Sequence, residues 1–176
     1  MNCNELKDEV LDSIINANAW NEISSSFGLN EGMLEKYADK LNWHEVSQNT
    51  EIHWTVKLLE KWADRLDWEK LSDSANDYLL TPDVISYFVN RWNWHKLSGN
   101  HNLKLNNLFI DRFVDYWDWE ELINGFFRGE ELYNRDFYDR YRKYIPMHPF
   151  LNRSNLLEEL QRQEVEHLKK ELTSHC

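Results

Sequence analysis

At 176 residues with a formal net charge of −11, the chain is long enough for one folded domain that buries roughly 70% of its unfolded surface, and its acidity argues against broad affinity for duplex phosphate or anionic lipid, which rests on clustered Lys and Arg. No apolar run approaches the ~18 residues that cross a bilayer, and the acidic start MNCNELKDE lacks the basic and apolar regions of a secretory signal, so a cytoplasmic protein without membrane contact is expected. Cys3 and Cys176 stand at opposite ends, outside any CxxC or Cys/His cluster, which suits a reducing compartment.

The first segment, with Val10, Leu11, Ile14, Ile15, Trp20, Ile23 and Ser24, is a weak copy of a pattern that becomes clear further on. Trp43, Trp68, Trp94 and Trp119 recur at spacings of 25, 26 and 25 residues, and such a period signals a repeat architecture. Asn42, Asp67, Asn93 or Asp118 directly precedes each tryptophan, and Asn30, Thr55, Thr81 or Asn106 stands thirteen residues before it. All eight are helix N-cap types, able to accept a backbone N–H that the first turn leaves unmade. Apolar residues fall ten, nine, six, five and two positions before each tryptophan, as in Leu58, Leu59, Trp62, Ala63 and Leu66. That spacing predicts a helix of about three turns with one broad apolar stripe, and Pro82 after Thr81 fits its first position. A shorter helix follows, pairing the tryptophan with Val46, Leu71, Leu97 or Leu122 and ending near Ser47, Ser72 or Ser98, with Ile123 in the last copy. In the first segment Ala19 replaces the second cap, as suits a degenerate terminal unit.

The strings YADKLNWHEVS, WADRLDWEKLS, YFVNRWNWHKLS and FVDYWDWEELI resemble the aromatic DK.DW..LS helical repeats of uncharacterised proteins from gut Bacteroidetes, phages and large DNA viruses. The resemblance covers roughly residues 8–123. It implies an α-helical repeat and a mobile-element or defence-related setting, and it implies no activity or ligand. The expected fold is all-α: a helical-repeat solenoid of four to five helix-turn-helix units of about 25 residues, of either hand, stacked because one unit cannot bury its stripe alone. Repeats over 1–125, an aromatic and basic segment over 126–153 and a terminal helix over 154–176 would form one folded domain.

Residues 126–153 depart from the pattern, since placing Tyr144 in register with Trp119 puts Asp139 and Arg142 at core positions. A single helix from about Glu130 to Tyr144, stopped by Pro146 and Pro149, would set Tyr133, Phe137, Tyr141 and Tyr144 on one side. Beyond it Ser154 can cap a final helix with Leu157, Leu160, Val165, Leu168 and Leu172 in a narrow stripe, suited to packing on the repeats or to a homodimer through residues 154–172.

No nucleophile elbow, P-loop or GxGxxG is present, so neither an enzyme nor a cofactor is expected. His44 and His95 share a repeat position and would be separated by the intervening copy with Glu69, which argues against a metal site. The acidity lies in the repeats, where residues 1–125 carry 11 Lys and Arg against 22 Asp and Glu, whereas 126–153 carry 6 against 4. The expected function is a binding module or inhibitor, of the immunity or anti-defence type, that docks a basic protein surface. Asp64, Asp67, Glu69, Asp111, Asp115 and Asp118 would steer association, and Trp54, out of register with the repeat tryptophans, would be an exposed anchor. The alternative is a nucleotide or other anion held within 128–153 by Arg135, Tyr138, Arg140, Tyr141, Arg142 and Lys143. Capping of the repeats by these aromatics is the simpler reading, because Glu130, Glu131, Asp136 and Asp139 dilute the basic character.

Overall fold

The computed structural model describes residues 3–125, 129–152 and 154–174, and among these every regular element is an α-helix. The chain divides into two compact units, Met1–Trp92 and Asn93–Cys176. The first holds α1 (Cys3–Ser26), α2 (Glu31–Lys36), α3 (Trp43–Gln48), α4 (Val56–Trp62), α5 (Trp68–Ser72) and α6 (Pro82–Tyr87). The second holds α7 (Trp94–Gly99), α8 (Asn107–Arg112), α9 (Trp119–Asn124), α10 (Gly129–Leu132), α11 (Arg135–Tyr141), α12 (Met147–Leu151) and α13 (Asn155–Ser174).

The eight cap residues sit where the sequence puts them. Asn30, Thr55, Thr81 and Asn106 accept the N–H three residues on, at 3.0, 3.2, 3.4 and 2.9 Å, and Asn42, Asp67, Asn93 and Asp118 cap α3, α5, α7 and α9. The long helices are shorter than three turns: each stops after six or seven residues and tightens into a turn. There Lys40, Arg65, Arg91 and Tyr116 donate to the carbonyl three residues back, at 2.8–2.9 Å. The repeat tryptophan closes that turn. Its indole N–H donates to the carbonyl five residues earlier, Trp43 to Ala38 and Trp68 to Ala63 at 2.8 Å, and Trp119 to Val114 at 3.2 Å, supplying a donor for a carbonyl at the helix end. Where Ala19 stands in place of a cap, nothing interrupts the helix, so α1 runs unbroken through the site of the turn.

In the first unit each repeat tryptophan packs on the aromatic six residues before the next: Trp20 on Tyr37, Trp43 on Trp62 and Trp68 on Phe88, with centroids 5.3, 4.6 and 5.1 Å apart. Leu34, Val46, Leu59, Leu71 and Ile85 are fully enclosed. The repeat serine bonds one copy to the next. Ser24 Oγ donates to Trp20 O and accepts the Asn42 N–H at 3.0 Å, and Ser47 Oγ donates to Trp43 O and accepts the Asp67 N–H at 2.9 Å. Two buried asparagines do the same for loops: Asn49 donates to Ser24 O and Phe27 O, and Asn76 to the carbonyls of Asn49, Thr50 and Ile52.

In the second unit Ser98 Oγ accepts the Asp118 N–H at 2.9 Å, Trp94 packs on Phe113 and Trp119 on Tyr141. The expected helix from Glu130 to Tyr144 is instead broken at Asn134, which caps α11 by accepting the Phe137 N–H at 2.9 Å. Segment 134–151 therefore keeps the repeat register with Met147, not Tyr144, in the tryptophan position. Tyr144 donates its N–H to Tyr141 O at 2.8 Å, the equivalent turn bond, while Phe137, Tyr141, Ile145 and Phe150 are buried at the apolar positions and Asp139 and Arg142 stay exposed. Pro149 lies inside α12, in a first turn where no backbone N–H is required. Ser154 caps α13 through the Leu157 N–H at 3.1 Å. Leu156 is enclosed and Gln163 donates to the Tyr133 carbonyl at 2.6 Å, whereas Val165, Leu168 and Leu172 are exposed, so the first half of α13 packs on its unit.

Candidate functional site

Trp54 is 3% exposed, so the expectation of a surface anchor is corrected: it belongs to the core of the first unit. Its position explains this. It directly precedes the cap Thr55, and Leu29, Leu80 and Tyr133 hold the same place before Asn30, Thr81 and Asn134 and are likewise buried. An apolar residue before the cap and another at the fourth helical position, here Leu59, form a hydrophobic staple that fixes the chain's entry into the helix.

The six predicted carboxylates divide by role. Asp67 Oδ1 accepts the Glu69 and Lys70 N–H bonds at 3.0 and 3.2 Å, while its Oδ2 meets His44 Nδ1 at 2.8 Å. Asp118 repeats this with Glu120, Glu121 and His95. Both carboxyls are partly buried, which pushes their pKa up, but the amides and the histidine outweigh that and hold them below the ordinary carboxylate range. Asp111 is held low chiefly by the Arg140 guanidinium, and it also accepts the Tyr141 hydroxyl at 2.9 Å. All three meet partners within the chain. Asp64, Glu69 and Asp115 face solvent.

Asp64 and Asp115 stand four residues before their tryptophans, and sequence reasoning passed over the third member of that position, Asp39. The side chains of Asp39 and Asp64 are 92% and 88% exposed although each touches an arginine, Arg65 at 3.1 Å and Arg91 at 2.8 Å. Arg65 also bonds the Ala38 carbonyl at 2.8 Å and lies 5.7 Å over the Trp43 ring. Exposed pairs of this kind contribute little to stability, and each leaves its carboxylate open to solvent beside an arginine.

Several residues of the alternative anion site already have partners within the chain. Arg140 is bound to Asp111, Arg135 to Asp139 at 3.2 Å, and Lys143 sits 4.5 Å over the Tyr144 ring. Burial pushes the Tyr141 hydroxyl well above its ordinary pKa, and its bond to Asp111 adds to that. Tyr138 stacks on Phe150 at 5.1 Å, and both line, with Arg135 and His167, an open groove of about 890 Å³ against α13. Arg142 is exposed. Among the described residues no group of three His, Cys, Asp or Glu is placed to hold a metal ion, and no helix is long and apolar enough to cross a membrane. Compared with protein-family models, curated proteins and solved structures, the chain matches none.

Proposed function

We propose that the chain is a non-enzymatic, cytoplasmic binding module, a helical-repeat solenoid whose exposed carboxylates dock a protein with a basic surface. The observation that carries this reading is the aspartate at one repeat position, Asp39, Asp64 and Asp115, which is exposed in both units. Core packing does not call for an acid there, Asp39 and Asp64 are exposed even beside their arginines, and a recurring charge of one sign speeds the encounter with an oppositely charged partner. An inhibitory role of the immunity or anti-defence type fits the setting that the repeat resemblance implies.

Affinity capture from the native host, run in parallel with wild type and with the combined Asp39→Lys, Asp64→Lys and Asp115→Lys variant, tests the proposal. The wild type is expected to retain a basic protein that the variant loses while its circular dichroism stays unchanged. Retention by the variant, together with loss in an Arg140→Ala, Arg142→Ala protein that keeps its helical spectrum, would move the site to segment 128–153.

A further inference from the structure

Consecutive copies are joined by rows of side-chain pairs. From the residue seven before the tryptophan position, Lys61 reaches back to Glu35, Tyr87 to Glu60 at 3.0 Å and Arg140 to Asp111. From the residue three before it, Arg65 Nη2 donates to Asp39 at 3.1 Å and Arg91 Nη2 to Asp64 at 2.8 Å. Asp115 belongs to this second row, but the copy that follows it offers Tyr144 where the others offer an arginine. Tyr144 lays its ring parallel to Trp119, with centroids 5.2 Å apart and planes at 9°, in the place where Arg65 lies 5.7 Å over Trp43. The two copies are nevertheless in register, since Arg140 meets Asp111 between them. Asp115 is exposed, and among the described residues no hydrogen bond or ion pair reaches its carboxylate. Lys143 feels its charge but stands 4.5 Å over the Tyr144 ring and forms no ion pair with it.

We propose that Asp115 binds an arginine side chain of the partner, in the place that the repeat gives to Arg65 on Asp39 and to Arg91 on Asp64. Resting on docking through the exposed carboxylates, this role separates the three aspartates: Asp115 makes the contact, while Asp39 and Asp64, already beside arginines, steer the approach. The chemistry favours arginine over lysine. Both occupants of the position within the chain are arginines, and a planar guanidinium holds a carboxylate through its in-plane N–H groups while its face lies on an aromatic ring. Such rings adjoin Asp115 in the chain and in the following copy. Tyr116, the next residue, is 44% exposed and packs on Trp94 with centroids 5.0 Å apart, and Tyr144 is half-buried. A compact, strongly hydrated ammonium matches neither the ring face nor the fork geometry. An exposed pair of this kind contributes little by itself, so Asp115 reads one arginine within a larger basic surface.

Nuclear magnetic resonance titration of the full chain with N-acetyl-arginine amide, and with N-acetyl-lysine amide at the same ionic strength, reads the position without the partner. The arginine compound is expected to shift the Asp115 carboxyl resonance more than those of Asp39 and Asp64, to shift the Tyr144 ring with it, and to act more strongly than the lysine compound. Asp115→Asn is expected to abolish the Tyr144 shift. Tyr144→Arg, which supplies Asp115 with an arginine of the chain's own, is expected to abolish the Asp115 shift while the melting curve is preserved. Arg65→Tyr copies the Tyr144 arrangement onto Asp39 and is expected to make Asp39 respond in turn. No shift at Asp115, equal shifts at the three aspartates, equal shifts with the lysine compound, or an Asp115 shift that persists in Tyr144→Arg would each overturn the assignment. All four would leave docking through the acidic surface standing, because that is decided separately by capture with the combined aspartate reversals.

Discussion

Asp118 serves three neighbours at once, two amides and the Nδ1 of His95, and this makes its pair pH-sensitive in a defined direction. The bond to Asp118, with the nearby Glu121 carboxylate, raises the His95 pKa. Its stabilising contribution is full below the ordinary histidine value of about 6.5 and fades as pH rises through the raised folded value. That of Asp118 is full above its ordinary 3.8 and is lost as pH falls through the lowered folded value. An NMR titration is expected to place the His95 midpoint above about 6.5, and Asp118→Asn to bring it down. Trp54 carries the larger energetic stake. Trp54→Ala is expected to cost about 3–5 kcal/mol in denaturant unfolding, and Trp68→Ala less, because Trp68 is only half-buried. Trp54 was misjudged from sequence because it was compared with the other tryptophans. The informative comparison is with whatever precedes each cap, Leu29, Leu80 or Tyr133, where apolarity recurs and residue type does not.

Caps were legible because a short polar side chain before an apolar run acts locally, within three residues of its own position. The asparagine ties between loops were not. Asn49 stands six residues after Trp43 but Asn76 stands eight after Trp68, so the displacement hides the series although both donate to loop carbonyls some 22–27 residues earlier. Asn76 donates to three carbonyls and accepts the Tyr78 N–H at 3.0 Å. Asn76→Ala is expected to cost about 1–3 kcal/mol by leaving buried groups without partners, and Asn76→Asp to cost more, since a carboxylate would face those carbonyls. Equal stability of the two variants would count against this bonding scheme. The unit ending at α12 was missed for a related reason: Met147 lies 28 residues after Trp119, has no indole, and follows Pro146 in place of an Asn or Asp cap. What survives there is the cap Asn134, the turn bond at Tyr144 and the apolar spacing, and these suffice for the same local fold. Helix length was overestimated because the apolar stripe continues through a turn that only the indole bond reveals.

For the whole molecule the charge of −11 divides into carboxylates that are partly buried, such as Asp67, Asp111 and Asp118, and carboxylates that are exposed, such as Asp39 and Asp64 beside their arginines and Asp115. The sequence marks Asp67 and Asp118 as caps but does not separate Asp111 from Asp64 and Asp115, because the partner of Asp111 is Arg140, far along the chain. Reversal of surface charges away from buried features changes stability by only about 0.5 kcal/mol, so fold and association can be tested independently. The most direct measurement is the association rate of the captured partner against ionic strength, for the wild type and for the Asp39→Lys, Asp64→Lys and Asp115→Lys variant. Docking through the exposed carboxylates predicts a wild-type rate that falls steeply with salt, a variant rate that is lower and nearly flat, and dissociation rates that differ little. A rate that is insensitive to salt and unchanged in the variant would contradict it.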